Sequence, residues 1–349
     1  MTGLLRTTVG ISEPGEVLAA VPHLLGFTPE DSLVLITLRS APNAARFGVT
    51  LRIDLPGPGQ EQDIAHHLIL GPMRSHRVDS VILVVVGESC GDPPDLPGGS
   101  PPHGELIDSL REVLAATGIP VTLALWTPEI AAGKPWSCYG SGVRGVLPDP
   151  KISPVGTVTA AAGSVTFESR KQLEDLVTPE PAEHIARRAA RLDVLTEERE
   201  EHPTSARQDL ELVRGAVRRT AEGSALTEDD HLQVLLAVSD SRVRDLALGL
   251  ALGDTAHAAE QLWLTLVRKA PAPEIADVAA LLAFSAYLRG DGPLAGIALD
   301  RAESARPEHS LTRLLRQALD IGFPVEKLVT VAREAAEDAE ILIKEDGAW

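Results

Sequence analysis

The residue types with most chemical potential in this chain cluster around its aromatic side chains. Trp126, Trp136 and Tyr139 fall close together, with Cys138 beside them, although aromatic residues make up only 3% of the sequence. Ligand pockets favour aromatic walls with a few placed polar groups. These four residues are therefore a candidate small-molecule site, and the plainer alternative is that the tryptophans cap the edge of a core. Cys138 becomes a nucleophile only where a base or cation lowers its thiol pKa. The sequence shows no such neighbour, so an inert thiol is expected. Ser32 follows Asp31 at the mouth of a strand. A nucleophilic serine needs a base within hydrogen-bond reach and a strand-to-helix elbow; this turn runs from helix to strand, and turn capping is the expected role. Arg52 and Asp54 share one strand face, where an ion pair is the default and a polar site for a small ligand the alternative.

Other patterns fail a chemical test. Gly140, Gly142 and Gly145 spell G-x-G-x-x-G, but a dinucleotide fingerprint needs a buried strand before it and a helix after it. KPWSCY and VLPDP stand there instead, so a flexible loop is expected. His66 and His67 are adjacent on a helical pattern and point in different directions, whereas two-histidine metal sites on helices use i, i+4 spacing. No metal and no cofactor are expected. Arg187, Arg188 and Arg191, with Arg214, Arg218 and Arg219, form two arginine-rich helix faces. Glu197, Glu198, Glu200 and Glu201 lie nearby, so pairing within the chain is expected in preference to binding an acidic partner or nucleic acid.

The elements that must position these residues follow from apolar spacing. Thr- and Val-rich Leu4–Ile11 reads as a strand and Ser12 as a helix N-cap. Leu18, Val21, Leu24 and Leu25 lie on one helical face, with a kink or late start expected at Pro22 and a left-handed stop at Gly26. Leu33–Leu38 and the alternating Phe47–Leu55 read as neighbouring antiparallel strands, because Arg39–Arg46 is too short for a crossover. A helix is expected over Gln62–Arg74. Val81–Val86 is a continuous β-branched run of the kind covered on both faces. A Pro/Gly-rich loop, helix Glu105–Thr117 and strand Ile119–Trp126 complete one parallel crossover. Trp126 then sits at the carboxyl end of a strand, where open α/β sheets bind ligands. Val155–Val165 reads as a last strand and Arg170–Val177 as a helix. Past Thr178-Pro179-Glu180-Pro181 the pattern is helical throughout, with helices at 182–198, 205–221, 227–238, 241–252, 255–269, 273–289, 293–305, 309–321 and 324–343. Residues 276–310 resemble one tetratricopeptide-like hairpin: Gly290-Asp291 closes the first helix, and Ala295, Ala302 and Pro307 follow at fitting intervals. An ordinary helical hairpin with alanine packing accounts for them equally well. The acidic tail Glu334–Glu345 reads as a terminal helix, docked or partner-binding.

The fold class expected is a mixed α/β domain over residues 1–178, with helices on the faces of its sheet, followed by an all-α, repeat-like domain over residues 182–349. The 349 residues suffice for two cores, and the 44% hydrophobic content argues for packed globules. The net charge of −18, shared by both parts, excludes a general basic footprint for nucleic acid or anionic membrane. Cys90 and Cys138 are the only cysteines. Without a signal peptide or an apolar run long enough to span a bilayer, a cytoplasmic protein is expected.

Several segments together resemble an actinobacterial family, domain of unknown function 4192. They are VPHLLGFTPEDSLVLITL (Val21–Leu38), LRIDLP (Leu51–Pro56), KPWSCYG (Lys134–Gly140), RVRDLAL (Arg242–Leu248) and LLAFSAYLRGDGPLAGIALDRA (Leu281–Ala302). The resemblance spans most of the chain and implies a soluble actinobacterial protein; it brings no activity, ligand or catalytic residue. The family tends to carry more cysteine and proline after the Trp-Ser position, whereas Cys138 stands alone here. The functional expectation is a non-enzymatic interaction or regulatory module that meets protein partners through its C-terminal helices. The alternative is a small-molecule-binding α/β domain, a hydrolase or transferase, with its site near Trp126, Trp136 and Cys138.

Overall fold

The structure is a computed structural model that describes residues 13–41, 44–57, 59–64, 78–88, 100–161 and 165–346. The expected strand Leu4–Ile11, the Ser12 cap, His66, His67, Cys90 and most of the expected helix Gln62–Arg74 lie outside these residues. The chain divides into two compact units, Met1–Leu173 and Glu174–Trp349.

The first unit is a six-stranded mixed sheet in the order β2-β1-β3-β4-β5-β6. Its strands are β1 (Ser32–Ala41), β2 (Ala44–Asp54), β3 (Ser80–Val86), β4 (Val121–Thr127), β5 (Pro135–Cys138) and β6 (Arg144–Val146). β1 pairs antiparallel with both β2 and β3, β3 runs parallel to β4, and β5 and β6 continue antiparallel. The β3 run is buried along Val81–Val86, as a central strand is when both faces of its sheet are covered. Helix α2 (Gly104–Ala116) covers one face, where Leu106, Ile107, Leu110 and Leu114 meet Leu33, Leu35, Leu83, Val85 and Trp126. Helix α1 (Pro14–Leu25) packs on the other. The Glu16 side chain accepts from the Glu13 N–H at its start, and Gly26, at φ 79°, ends it in the left-handed conformation. The helix does not start late at Pro22: it begins at Pro14 and runs through that residue, where the bond to the Leu18 carbonyl is forgone.

Two expectations for this unit are corrected. The described part of Val155–Val165, residues 155–161 and 165, does not form the expected last strand. Pro154–Ala161 is helix α3, started by Pro154, whose missing N–H costs nothing at that position. The hydroxyls of Thr157 and Thr159 donate to the Ser153 and Val155 carbonyls one turn back, so β-branched residues fit this helix. The segment Gly140–Gly145, expected to be loop, is the turn and the start of the second strand of the β5–β6 hairpin.

Helix α4 (Arg170–Asp175) leads into the second unit, which is helical throughout its described residues. Its helices are α5 (Ala182–Glu201), α6 (Ala206–Ala221), α7 (Glu228–Ser239), α8 (Ser241–Leu248), α9 (Ala256–Lys269), α10 (Ile275–Arg289), α11 (Gly292–Ala305), α12 (Ser310–Asp320) and α13 (Val325–Asp346). Ser205, Thr227, Asp240, Asp291 and His309 cap helices with side-chain acceptors, each satisfying backbone N–H groups that have no partner within the helix. α10 is the central element: every residue from Ile275 to Tyr287 is buried, as suits a helix that is apolar almost all round. Trp263 of α9 and Phe284 of α10 are the largest fully buried side chains.

Candidate functional site

The residues singled out in the sheet unit fall into two groups. Ser32, Arg52 and Asp54 come together because the β1–β2 register sets Ser32 opposite Asp54 and Val34 opposite Arg52. The Ser32 hydroxyl donates to the Glu30 carbonyl at 2.5 Å and accepts from Arg52 Nε at 2.8 Å. Arg52 also reaches Asp54 at 2.6 Å, with the carboxylate largely in water. The hydroxyl proton is thus held by a carbonyl and the oxygen faces a guanidinium. Among the described contacts no base is positioned to activate this serine. The group closes a turn and fixes a strand pair.

The aromatic residues are divided by the sheet. Trp126 is paired with Ser137, so side-chain alternation puts Trp136 and Cys138 on the face opposite Trp126 and Tyr139. Trp126 and Tyr139 belong to the α2-side core. The Trp126 indole donates to the Gly87 carbonyl at 3.1 Å, and the Tyr139 hydroxyl to the Pro102 carbonyl at 2.5 Å. Trp136 lies against Gly15 of α1, and a Cβ on Gly145 would sit 2.6 Å from its ring. The G-x-G-x-x-G pattern therefore serves a hairpin: Gly140 and Gly142 take positive φ in the turn, and Gly145 yields room for an indole. All four candidate side chains are buried. Burial pushes the Cys138 thiol pKa up, only partly offset by a hydrogen bond to Ser141, and likewise raises the Tyr139 phenol despite nearby Arg111. Both stay protonated at neutral pH, which suits packing and not nucleophilic chemistry.

The sequence did not reveal His23. Its Nε2 donates to the Pro150 carbonyl at 2.8 Å, which leaves Nδ1 to accept from Thr166 Oγ1 at 2.9 Å. It ties α1 to two distant segments.

In the helical unit four of the six arginines on these faces, Arg188, Arg191, Arg214 and Arg219, are answered by carboxylates. Arg188 binds Glu228 at 2.5 Å and Glu180 at 2.6 Å. Arg191 pairs with Asp229, Arg214 with Glu211 and Arg219 with Asp230. The Arg188 hydrogen bond holds the Glu228 carboxyl at about 2, with burial opposing it. Beside this network burial, reinforced by Lys269, pushes His231 down to about 4.

A second buried network joins α8, α10 and the start of α12. Asp277 is 1% exposed. Its carboxylate accepts from His309 Nε2 at 2.9 Å and Arg244 at 3.0 Å, and Arg306 lies 3.3 Å away. Burial opposes its ionisation, but the bonds from His309 and Arg244 outweigh that and hold its pKa below the ordinary value. His309 Nδ1 lies 2.6 Å from the Thr312 hydroxyl. Carboxylate, imidazole and hydroxyl stand in the order of a hydrolytic relay. However, His309 and Thr312 are 3% and 1% exposed, so a substrate cannot reach the hydroxyl. The arrangement caps α12 and fastens it to α10. A carboxylate inside the apolar run ADVAALLAFSAYL was the one sequence signal for it.

Adjacent to this network lies an open apolar groove of about 440 Å³. α12 contributes Leu311, Leu314 and Ala318, followed by Ile321, and α13 contributes Leu328, Val331 and Ala335. Phe284 lines its depth, and Arg244 and Asp245 border it. Leu314, Val331 and Ile321 are 64%, 52% and 42% exposed.

Among the described residues no group of three or more His, Cys, Asp or Glu side chains is placed to hold a metal ion. No described helix is long and apolar enough to cross a membrane. No curated protein and no solved structure matches the chain. Residues 14–326 match the family described as Domain of unknown function (DUF4192), which takes in the whole described sheet and the helices through α12, and the chain belongs to that family.

Proposed function

We propose that this protein is a non-enzymatic interaction module whose helical unit docks an amphipathic helix of a partner protein. The groove between α12 and α13 carries the reading. Large apolar side chains stand in water along both walls at helical spacing, and such a trough accepts partner side chains at i, i+3, i+4 and i+7. The α10–α11 hairpin supports it: its small buried residues Ala279, Ala283, Ala295, Ala298 and Ala302 suit the close helix approach of a tetratricopeptide-like unit. The alternative small-molecule site near Trp126, Trp136 and Cys138 has less support, since these buried side chains lie on opposite faces of the sheet and wall no common space.

The test is fluorescence anisotropy of a labelled helical peptide with leucines on one face and glutamines on the other, against a scrambled control. The patterned peptide is expected to bind, and Leu314→Glu with Val331→Glu to reduce binding at least about tenfold while leaving the melting temperature unchanged, since both side chains are exposed. Equal binding by patterned and scrambled peptides, or by protein and variant, overturns the reading.

A further inference from the structure

We infer that the helix this groove receives is cationic, with lysine or arginine flanking its apolar stripe; the inference rests on the docking function proposed above. The α13 wall is a stripe of Leu328, Val331, Ala332 and Ala335. Glu334 and Asp338 follow Val331 by three and seven residues, which places both on the outer lip of the groove beside it. Glu337 lies further out on the same side. All three are exposed, and no ion pair or hydrogen bond engages them among the described residues. The cations of this stretch are Lys327, four residues before Val331, and Arg333, one turn before the outlying Glu337; the carboxylates outnumber them, and Glu334 and Asp338 stand nearest the groove. On the facing wall the exposed cation Arg313 is already answered by Glu308 at 3.4 Å. Asp245, at the border of the groove, pairs with Arg244.

The lip thus presents unanswered negative charge next to unanswered apolar surface. An occupant that satisfies both is a basic amphipathic helix. The net charge of −18 selects the same occupant from a distance, because it attracts cationic segments and repels other acidic macromolecules. A second copy of this chain would bring like charge to the lip. An anionic membrane surface and a nucleic acid would do the same.

The experiment uses the full chain and three labelled helical peptides with an identical leucine face, their polar faces built from lysine, glutamine or glutamate. Exposed ion pairs each contribute little, so three carboxylates should favour the lysine peptide over the glutamine peptide by about fivefold at low salt. The glutamate peptide should bind weakest, and the ranking should flatten at high salt. Glu334→Lys with Asp338→Lys should reverse the ranking, whereas Leu314→Glu should weaken all three peptides. Equal affinity for the lysine and glutamate peptides overturns the inference and leaves the docking function standing. Failure of every peptide to bind overturns both. An affinity for the lysine peptide that is undiminished in the Leu314→Glu protein also overturns the inference, because the attraction would then be to the acidic chain at large.

Discussion

Replacing Asp277 by alanine tests whether the second unit is held together by a buried charge network. The carboxylate is 1% exposed and is met by His309 at 2.9 Å, Arg244 at 3.0 Å and Arg306 at 3.3 Å. Its loss leaves the Arg244 and His309 side chains, 10% and 3% exposed, without their main acceptor. Breaking one partner out of a buried ion pair costs about 3–5 kcal/mol. Arg244 keeps Asp245 at 3.2 Å, which argues for the lower half of that range. In a unit of this size about 3 kcal/mol lowers the melting temperature by roughly 10 °C. Urea unfolding followed by far-UV circular dichroism measures it, because the helical unit dominates the signal. The cost should come from the stranded guanidinium and not from lost attraction. Asp277→Leu combined with Arg244→Met should therefore be more stable than the sum of the two single changes. A loss below about 1 kcal/mol for Asp277→Ala, or simple additivity in the double variant, would refute the reasoning.

Three further outcomes are expected. His231 is neutral in the folded protein, with its pKa at about 4, but takes a proton near its ordinary value when unfolded; stability should therefore fall as pH drops from about 6.5 to about 4, by about 3 kcal/mol in all. Urea midpoints across that range should show the slope, and His231→Gln should flatten it. Gly145→Ala sets a methyl group 2.6 Å from the Trp136 ring and should cost about 1–3 kcal/mol, read as a lower melting temperature; an unchanged value would mean the hairpin gives way freely. Ser32→Ala removes the 2.8 Å acceptor of Arg52 Nε and should cost about 1 kcal/mol in a denaturant titration, and a loss several times larger would point to a role beyond closing the turn.

What the sequence revealed was set by how far a signal reaches along the chain. The helices of the second unit were legible because their apolar spacing repeats over several turns; α9 and α12 were placed within a residue or so of their observed ends. The antiparallel β1–β2 pair was legible from a short connection and an alternating strand. β5 and β6 were not: strands of four and three residues are too brief for alternation to show, and the glycines around them read as loop. α3 looked like a strand because Thr and Val carry β propensity, while the hydroxyl bonds that settle them into a helix cannot be seen before folding. Arg52 and Asp54 share a face by simple alternation, whereas their meeting with Ser32 depends on register. Asp277 and His309 are separated by two helices in sequence, so only the packing of α12 onto α10 brings them together. The groove depends equally on tertiary arrangement, since an apolar residue is not marked as exposed until its neighbours are placed.

The strand order has a consequence for how the protein reaches its native state. β1 must find β3 as an antiparallel neighbour after β2 has folded back on it through a short turn, and closing the remaining loop from Asp54 to Ser80 costs chain entropy before the β1–β3 ladder forms. Successive helices of the second unit, such as α10 and α11, join through a short turn and find each other locally. Contact order then assigns the rate-limiting search to the sheet. A refolding experiment should show helical signal recovering well before the environments of Trp126 and Trp136 do, with exposed β1 and β3 edges during that interval the stage at which the nascent protein is most prone to aggregate.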